Sequence, residues 1–221
     1  MSSQTLWAMT LLIALAAGRG EAGAKAKQQA TEDGWPGRAP RITIRLLNEA
    51  RVPARALADM RQTVDGIFHK AGVGITWSEC PLDPKGQAHG SCASALTLDQ
   101  FEVRLTSRCR AKLGVLGHAV GQKASVCYEN VVVMSDWRYT GIMLGCALAH
   151  ELGHLLLATE KHSLDGLMAG PWDGHIFRLA EQASLSFASK EARRVRRAAE
   201  VRMAAAGVAR EHAQTAKQPK P

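Results

Sequence analysis

The chain has no internal repeat, which excludes a solenoid or repeat array. At 221 residues it lacks the length for two large domains and has enough for one well-buried core. Its N-terminal apolar run, residues 6–17 (LWAMTLLIALAA), stops well short of the roughly 20 residues that span a bilayer, which argues against a permanent membrane anchor. The formal charge of +8 and pI near 9.5 would fit a nucleic-acid partner. However, the cationic run Arg193, Arg194, Arg196, Arg197 and Arg202 has no aromatic side chain interleaved to stack on bases, so it reads as a solvated helix face and no nucleic-acid partner is expected. The oligomeric state is left open.

The short apolar run ends in small residues, Ala22, Gly23 and Ala24, as a cleavable secretory signal does, although no Lys or Arg precedes it. The expected organisation is a signal peptide over residues 1–24, a linker over 25–40, one domain over 41–206 and a disordered tail over 207–221. A secreted or periplasmic protein is expected, with no stable membrane insertion after cleavage. All five cysteines follow the signal, where disulfides form and persist. The simplest pairing is local, Cys80 with Cys92 and Cys109 with Cys127, each contributing on the order of 3 kcal/mol. Cys146 is then left over, and other pairings remain open.

Alternation of Ile42, Ile44 and Leu46 predicts a half-buried strand over residues 41–48. Pro53 opens a helix whose apolar positions Leu57, Met60, Val64, Ile67 and Phe68 recur at helical spacing until Gly72 stops it. Strands are expected over 75–80 and 100–106, with Phe101, Val103 and Leu105 inward. The β-branched stretch 124–133 reads as a fourth strand, regular or irregular in its continuation. Thr140 is placed to cap a long helix over 141–158, and a charged helix is expected from about Ser189 to Ala206.

That long helix carries the chemistry. His150, Glu151 and His154 form His-Glu-x-x-His, and residues four apart on a helix differ by about 6 Å of rise and some 40° of rotation, so both imidazoles can reach one ion. Glu151 is placed to take a proton from a zinc-bound water while the metal polarises a scissile carbonyl. The surrounding CALAHELGHLLLA is apolar, and three ionisable side chains there need compensation. A pair of hydrogen-bonded core histidines with an ion-paired Glu151 is the alternative. A catalytic zinc needs a third protein ligand and an open position. Glu160 and His162 compete for it, with Asp165 behind them.

The motif resembles that of the metzincin metalloproteases. Their spacing after the second His would put a Gly at Leu157 and the third ligand at Glu160, and both depart from it. Two residues later, His162-Ser163 leads through Asp165 and Gly166 to Met168. That segment resembles the matrixin branch, in which His-Ser precedes a tight turn bearing Met. A linker two residues longer would let the helix run past Leu157 without a Gly. The order of elements over residues 41–197 is also similar to that of uncharacterised secreted bacterial proteins with a metzincin-like fold.

The resemblance implies an α+β fold: a twisted mixed sheet of about four strands, an N-terminal helix, a zinc-binding helix and a C-terminal helix. It implies a secreted zinc metalloendopeptidase that hydrolyses a peptide or protein substrate, with Glu151 as the catalytic residue and His150, His154 and His162 holding Zn2+. The substrate would lie along an edge strand, for which residues 124–133 are the candidate, an internal strand being the other reading. Met168 would pack beneath the metal. No Tyr follows it, and the linker has no Cys to block the zinc. Cys146, one turn before His150, could approach the metal or be an inert buried thiol. His69, His118 and His175 are expected at the surface or in packing. A catalytically silent metal- or peptide-binding module on the same fold is the alternative function.

Overall fold

A computed structural model describes residues 39–107, 109 and 114–215. The expected signal peptide and nearly all of the linker lie outside them. Strand β1 (Arg41–Asn48) is buried on both faces, as a strand in a largely parallel sheet is. Ile42, Ile44 and Leu46 enter the main core, whereas Leu47 joins Cys80 and Cys92 on the opposite face. There the Arg45 guanidinium donates to the carbonyls of Cys92 (3.2 Å) and Ser94 (2.7 Å) and to Gln100 Oε1 (2.7 Å). The Cys80–Cys92 disulfide thus staples a loop that covers this face, and Cys109–Cys127 is also formed.

Helix α1 (Ala54–Lys70) follows Pro53 and buries Met60, Val64, Ile67 and Phe68; Gly72, at φ 80°, turns the chain out of it. Strands β2 (Gly74–Glu79), β3 (Gln100–Thr106), β4 (Gly117–Val120) and β5 (Lys123–Cys127) complete a five-stranded mixed sheet in the order β2-β1-β3-β5-β4. All neighbours are parallel except β4, which pairs antiparallel with β5 and forms an edge.

Two expectations change here. The strand expected over 124–133 ends at Cys127, and Tyr128–Met134 coil into helix α2. Its valines have strand propensity, but the chain is tied by the Cys109–Cys127 disulfide and by Asn130 Nδ2 donating to the Val115 carbonyl, and it buries only Val131. Moreover β5 is an internal strand, so the edge belongs to β4, whose GHAV is too short and too glycine-bearing to register as a strand on pattern alone.

Helix α3 (Thr140–Leu157) is almost entirely buried, which explains its apolar sequence. It packs on α1 at Gly145, where a Cβ would stand 2.6 Å from Thr63 Cβ and 2.7 Å from the Met60 carbonyl oxygen. Thr140 does not cap it. Tyr139 holds that position, and the Thr140 hydroxyl donates back to the Asp136 carbonyl at 3.4 Å. Helix α4 (Gly174–Glu181) is capped by Asp173, whose Oδ1 accepts from the amides of His175 and Ile176. Helix α5 (Ser189–Thr215) runs on past Ala206 through residues expected to be a disordered tail; Ala206 itself is buried.

Candidate metal centre

The C-terminal half of α3 and the loop after it build the site. His150 and His154 face one another with Nε2 atoms 3.0 Å apart and rings nearly perpendicular, at 84°. Each Nδ1 is committed elsewhere: that of His150 lies 2.7 Å from the Leu167 carbonyl oxygen, that of His154 2.7 Å from the Thr159 carbonyl oxygen. A carbonyl can only accept, so both Nδ1 atoms carry the proton and a neutral ring is left with a bare lone pair on Nε2. Burial pushes the His150 pKa down to about 4, with the Leu167 carbonyl opposing and His154 and His162 adding to the fall. Two lone pairs thus converge at 3.0 Å, which repels unless a cation lies between them. Two nitrogens bound to a tetrahedral zinc at about 2 Å would stand roughly 3.3 Å apart.

His162 completes the cluster. Its ring lies 5.2 Å from that of His150, nearly parallel, and 5.0 Å from that of His154, and one nitrogen from each of the three residues falls within 4.8 Å of the others. A Cβ on Gly170 would sit 2.7 Å from the His162 ring carbons, so bare backbone backs this imidazole. His162 is the most exposed of the three, and its pKa is lowered by partial burial and then by His154. Three imidazole nitrogens suit zinc or a similar borderline cation. Glu160 lines the same cleft but stays exposed and outside the cluster. Helix α3 stops at Leu157 and does not run past it as the longer linker would allow; the left-handed turn falls on the next residue, Ala158, at φ 48°.

Glu151 points to the other side of the cleft. Its carboxylate is buried, and that burial raises its pKa to about 7. It rests on β4, where a Cβ on Gly117 would meet Glu151 Oε1 at 2.8 Å and the Ser125 carbonyl oxygen at 2.7 Å. The cleft, about 590 Å³, has Leu116, Gly117 and Ala119 on the β4 side and Pro171 and Trp172 opposite. Trp172, 5.7 Å from the His150 ring and edge-on to it, was not singled out by sequence; its only signal was its place after the Met-bearing turn.

Met168 is buried with its Sδ against Gly153, where a Cβ would stand 2.5 Å away, so it packs against α3. Cys146 lines a separate cavity of about 270 Å³ beside Thr63 and Ile67 of α1, and burial pushes its thiol up to about 12. It behaves as an inert buried thiol. His69 and His175 are exposed on α1 and α4. His118, also exposed, sits at the rim of the cleft on β4 with Nδ1 2.8 Å from Ser125 Oγ.

No family model and no curated protein matches the chain. Among solved structures the fold is similar to that of archaemetzincin from Methanopyrus kandleri, with a TM-score of 0.50 and 17% sequence identity, over 74% of this chain and 98% of that one. The likeness is one of fold, and it agrees with a metzincin-like α+β architecture.

Proposed function

We propose that this protein is a secreted zinc metalloendopeptidase. The observation that carries the proposal is the paired Nε2 atoms of His150 and His154, each bared by a carbonyl at Nδ1, with His162 closing the third side and the buried Glu151 next in sequence. His150, His154 and His162 would hold the ion. Zinc there supplies a Lewis acid that lowers the pKa of water and polarises a carbonyl. Glu151, held near neutral pKa by burial, takes the proton from the attacking water and returns it to the leaving amine.

The cleft supports a peptide substrate. The edge of β4, which no strand pairs with among the described residues, borders it, so an extended backbone can add to the sheet there, with Glu151 beside it at Gly117. Such docking uses the substrate main chain and demands little of its sequence. The two disulfides are compatible with an oxidising compartment and support the secreted reading.

Purified protein is expected to hold about one zinc per chain, and Glu151→Gln to keep the metal while losing hydrolysis of an unstructured protein such as casein. Metal analysis and a casein assay on both proteins decide it. No zinc after metal-replete preparation would overturn the metal reading, and zinc without hydrolysis in the parent protein would leave a silent binding module.

A further inference from the structure

The three histidines are not held alike. His150 and His154 are each anchored by a hydrogen bond from Nδ1, and both ride on a buried helix. His162 sits on an exposed loop, and among the described residues no hydrogen bond holds its ring; it is stacked near His150 and backed by Gly170. Its place in the cluster therefore depends on its backbone.

That backbone is pinned one residue later. The Ser163 amide donates to the Met168 carbonyl at 2.8 Å, closing the loop, and Leu167 N–H donates to the Ser186 carbonyl at 2.8 Å. The Ser163 hydroxyl donates to Glu191 Oε1, in the first turn of α5. The other carboxylate oxygen, Oε2, accepts from the Ala188 amide at 3.2 Å, so one side chain both closes the start of α5 and grips the His162 loop. Helix α5 is itself fixed. Val195, Ala199 and Ala206 are buried, and Arg202 donates to the carbonyls of Leu98 (3.2 Å) and Leu155 (3.5 Å) with its guanidinium over the Phe101 ring.

We infer that Glu191 is a positioning residue for the metal centre: through Ser163 it anchors the His162 loop to α5 and holds the third imidazole where the other two converge. The inference rests on the metal reading above. It gives the long C-terminal helix a role at a site to which it contributes no ligand, and it separates the two jobs of Glu191. Ser163→Ala removes the grip on the loop and leaves the bond to Ala188. Glu191→Ala removes both. Ser163→Thr keeps the hydroxyl.

The test is competitive zinc titration of the full chain, with cobalt(II) absorption as a spectroscopic readout of the ligand set. Removing the partner that orients a metal ligand weakens binding by roughly 10–100-fold. Ser163→Ala and Glu191→Ala are each expected to lose affinity in that range and to change the cobalt spectrum. The double variant should lose little more than either alone, because both changes break one link. Ser163→Thr should bind like the parent protein. If Ser163→Ala binds zinc with the parent's affinity and cobalt spectrum, Glu191 only caps α5 and the inference is overturned while the metal centre stands. If the parent protein binds no zinc, the metal reading itself has failed. Should Glu191→Ala not fold, the serine variants still decide.

Discussion

At the scale of the residue, the site asks of Glu151 something the fold does not reward. A carboxyl whose ordinary pKa is 4.5 is raised to about 7 by burial, so the folded chain keeps a proton that the unfolded chain releases across that window. Stability of the metal-free protein therefore falls as pH rises from about 4.5 to about 7 and levels off above, a loss of roughly 3 kcal/mol. Glu151→Gln is neutral throughout and removes this fall. Denaturant unfolding of the chelated proteins is expected to show the variant more stable than the parent at pH 8 and nearly equal to it at pH 5. The depressed His150 pKa acts in both proteins and cancels in the comparison. Equal stability at pH 8 would mean the carboxylate is better solvated than its burial implies. The third ligand can be separated as cleanly: His162→Ala should lose bound zinc, whereas Glu160→Ala, exposed and outside the cluster, should keep it. Metal analysis of the two variants side by side reads the outcome.

At the scale of the element, β4 does more than its four residues suggest. Gly117 lets the strand pass over Glu151, so Gly117→Ala must displace either the Ser125 backbone or the carboxylate. We expect kcat/KM for peptide hydrolysis to fall at least tenfold with zinc content unchanged, against no effect from the exposed Val120→Ala on the same strand. Loss of zinc in Gly117→Ala would instead mean that β4 supports the metal cluster itself. This strand also marks where sequence reading stops. Elements that carry their own period were legible: β1, α1 and β3 by alternation or helical spacing, and α3 by its motif. The two local disulfides are the simplest pairing the spacing offered, among others it left open. What was not legible depends on distant partners. The segment GHAV has no period and becomes a strand only because β5 offers it an edge. The segment YENVVVM has strand propensity and coils because its ends are tied elsewhere. The preference for His162 over Glu160 as third ligand came from the resemblance, through the Ser and Met that follow, and the structure places His162 beside the other two histidines. The wall at Trp172 and the grip of Glu191 lay beyond the reach of sequence, since each joins residues far apart in the chain.

At the scale of the whole molecule, the question is whether the metal makes the fold or only completes a site. In small zinc domains the ion supplies the folding energy, and chelation unfolds them. Here the ion would join one helix to one loop, while the core around α1, α3 and the sheet is continuous and largely free of the site. Two disulfides brace the opposite face of the sheet and the end of β5. The carbonyls of Leu167 and Thr159 orient His150 and His154, and these contacts belong to the fold itself, so metal would bind with little rearrangement. The expected outcome of chelation is therefore a folded, cooperative protein with unchanged far-ultraviolet circular dichroism and a lower Tm. Zinc at one hundred times its Kd adds about 2.7 kcal/mol by mass action alone. For a domain of this size each kcal/mol moves Tm by roughly 2–4 °C, so the midpoint should rise by about 5–10 °C on reloading. Thermal scans at several free zinc concentrations, at fixed pH, measure this directly. A midpoint independent of zinc would deny a site that binds only the folded state, and loss of the helical signal on chelation would show that the metal holds the fold.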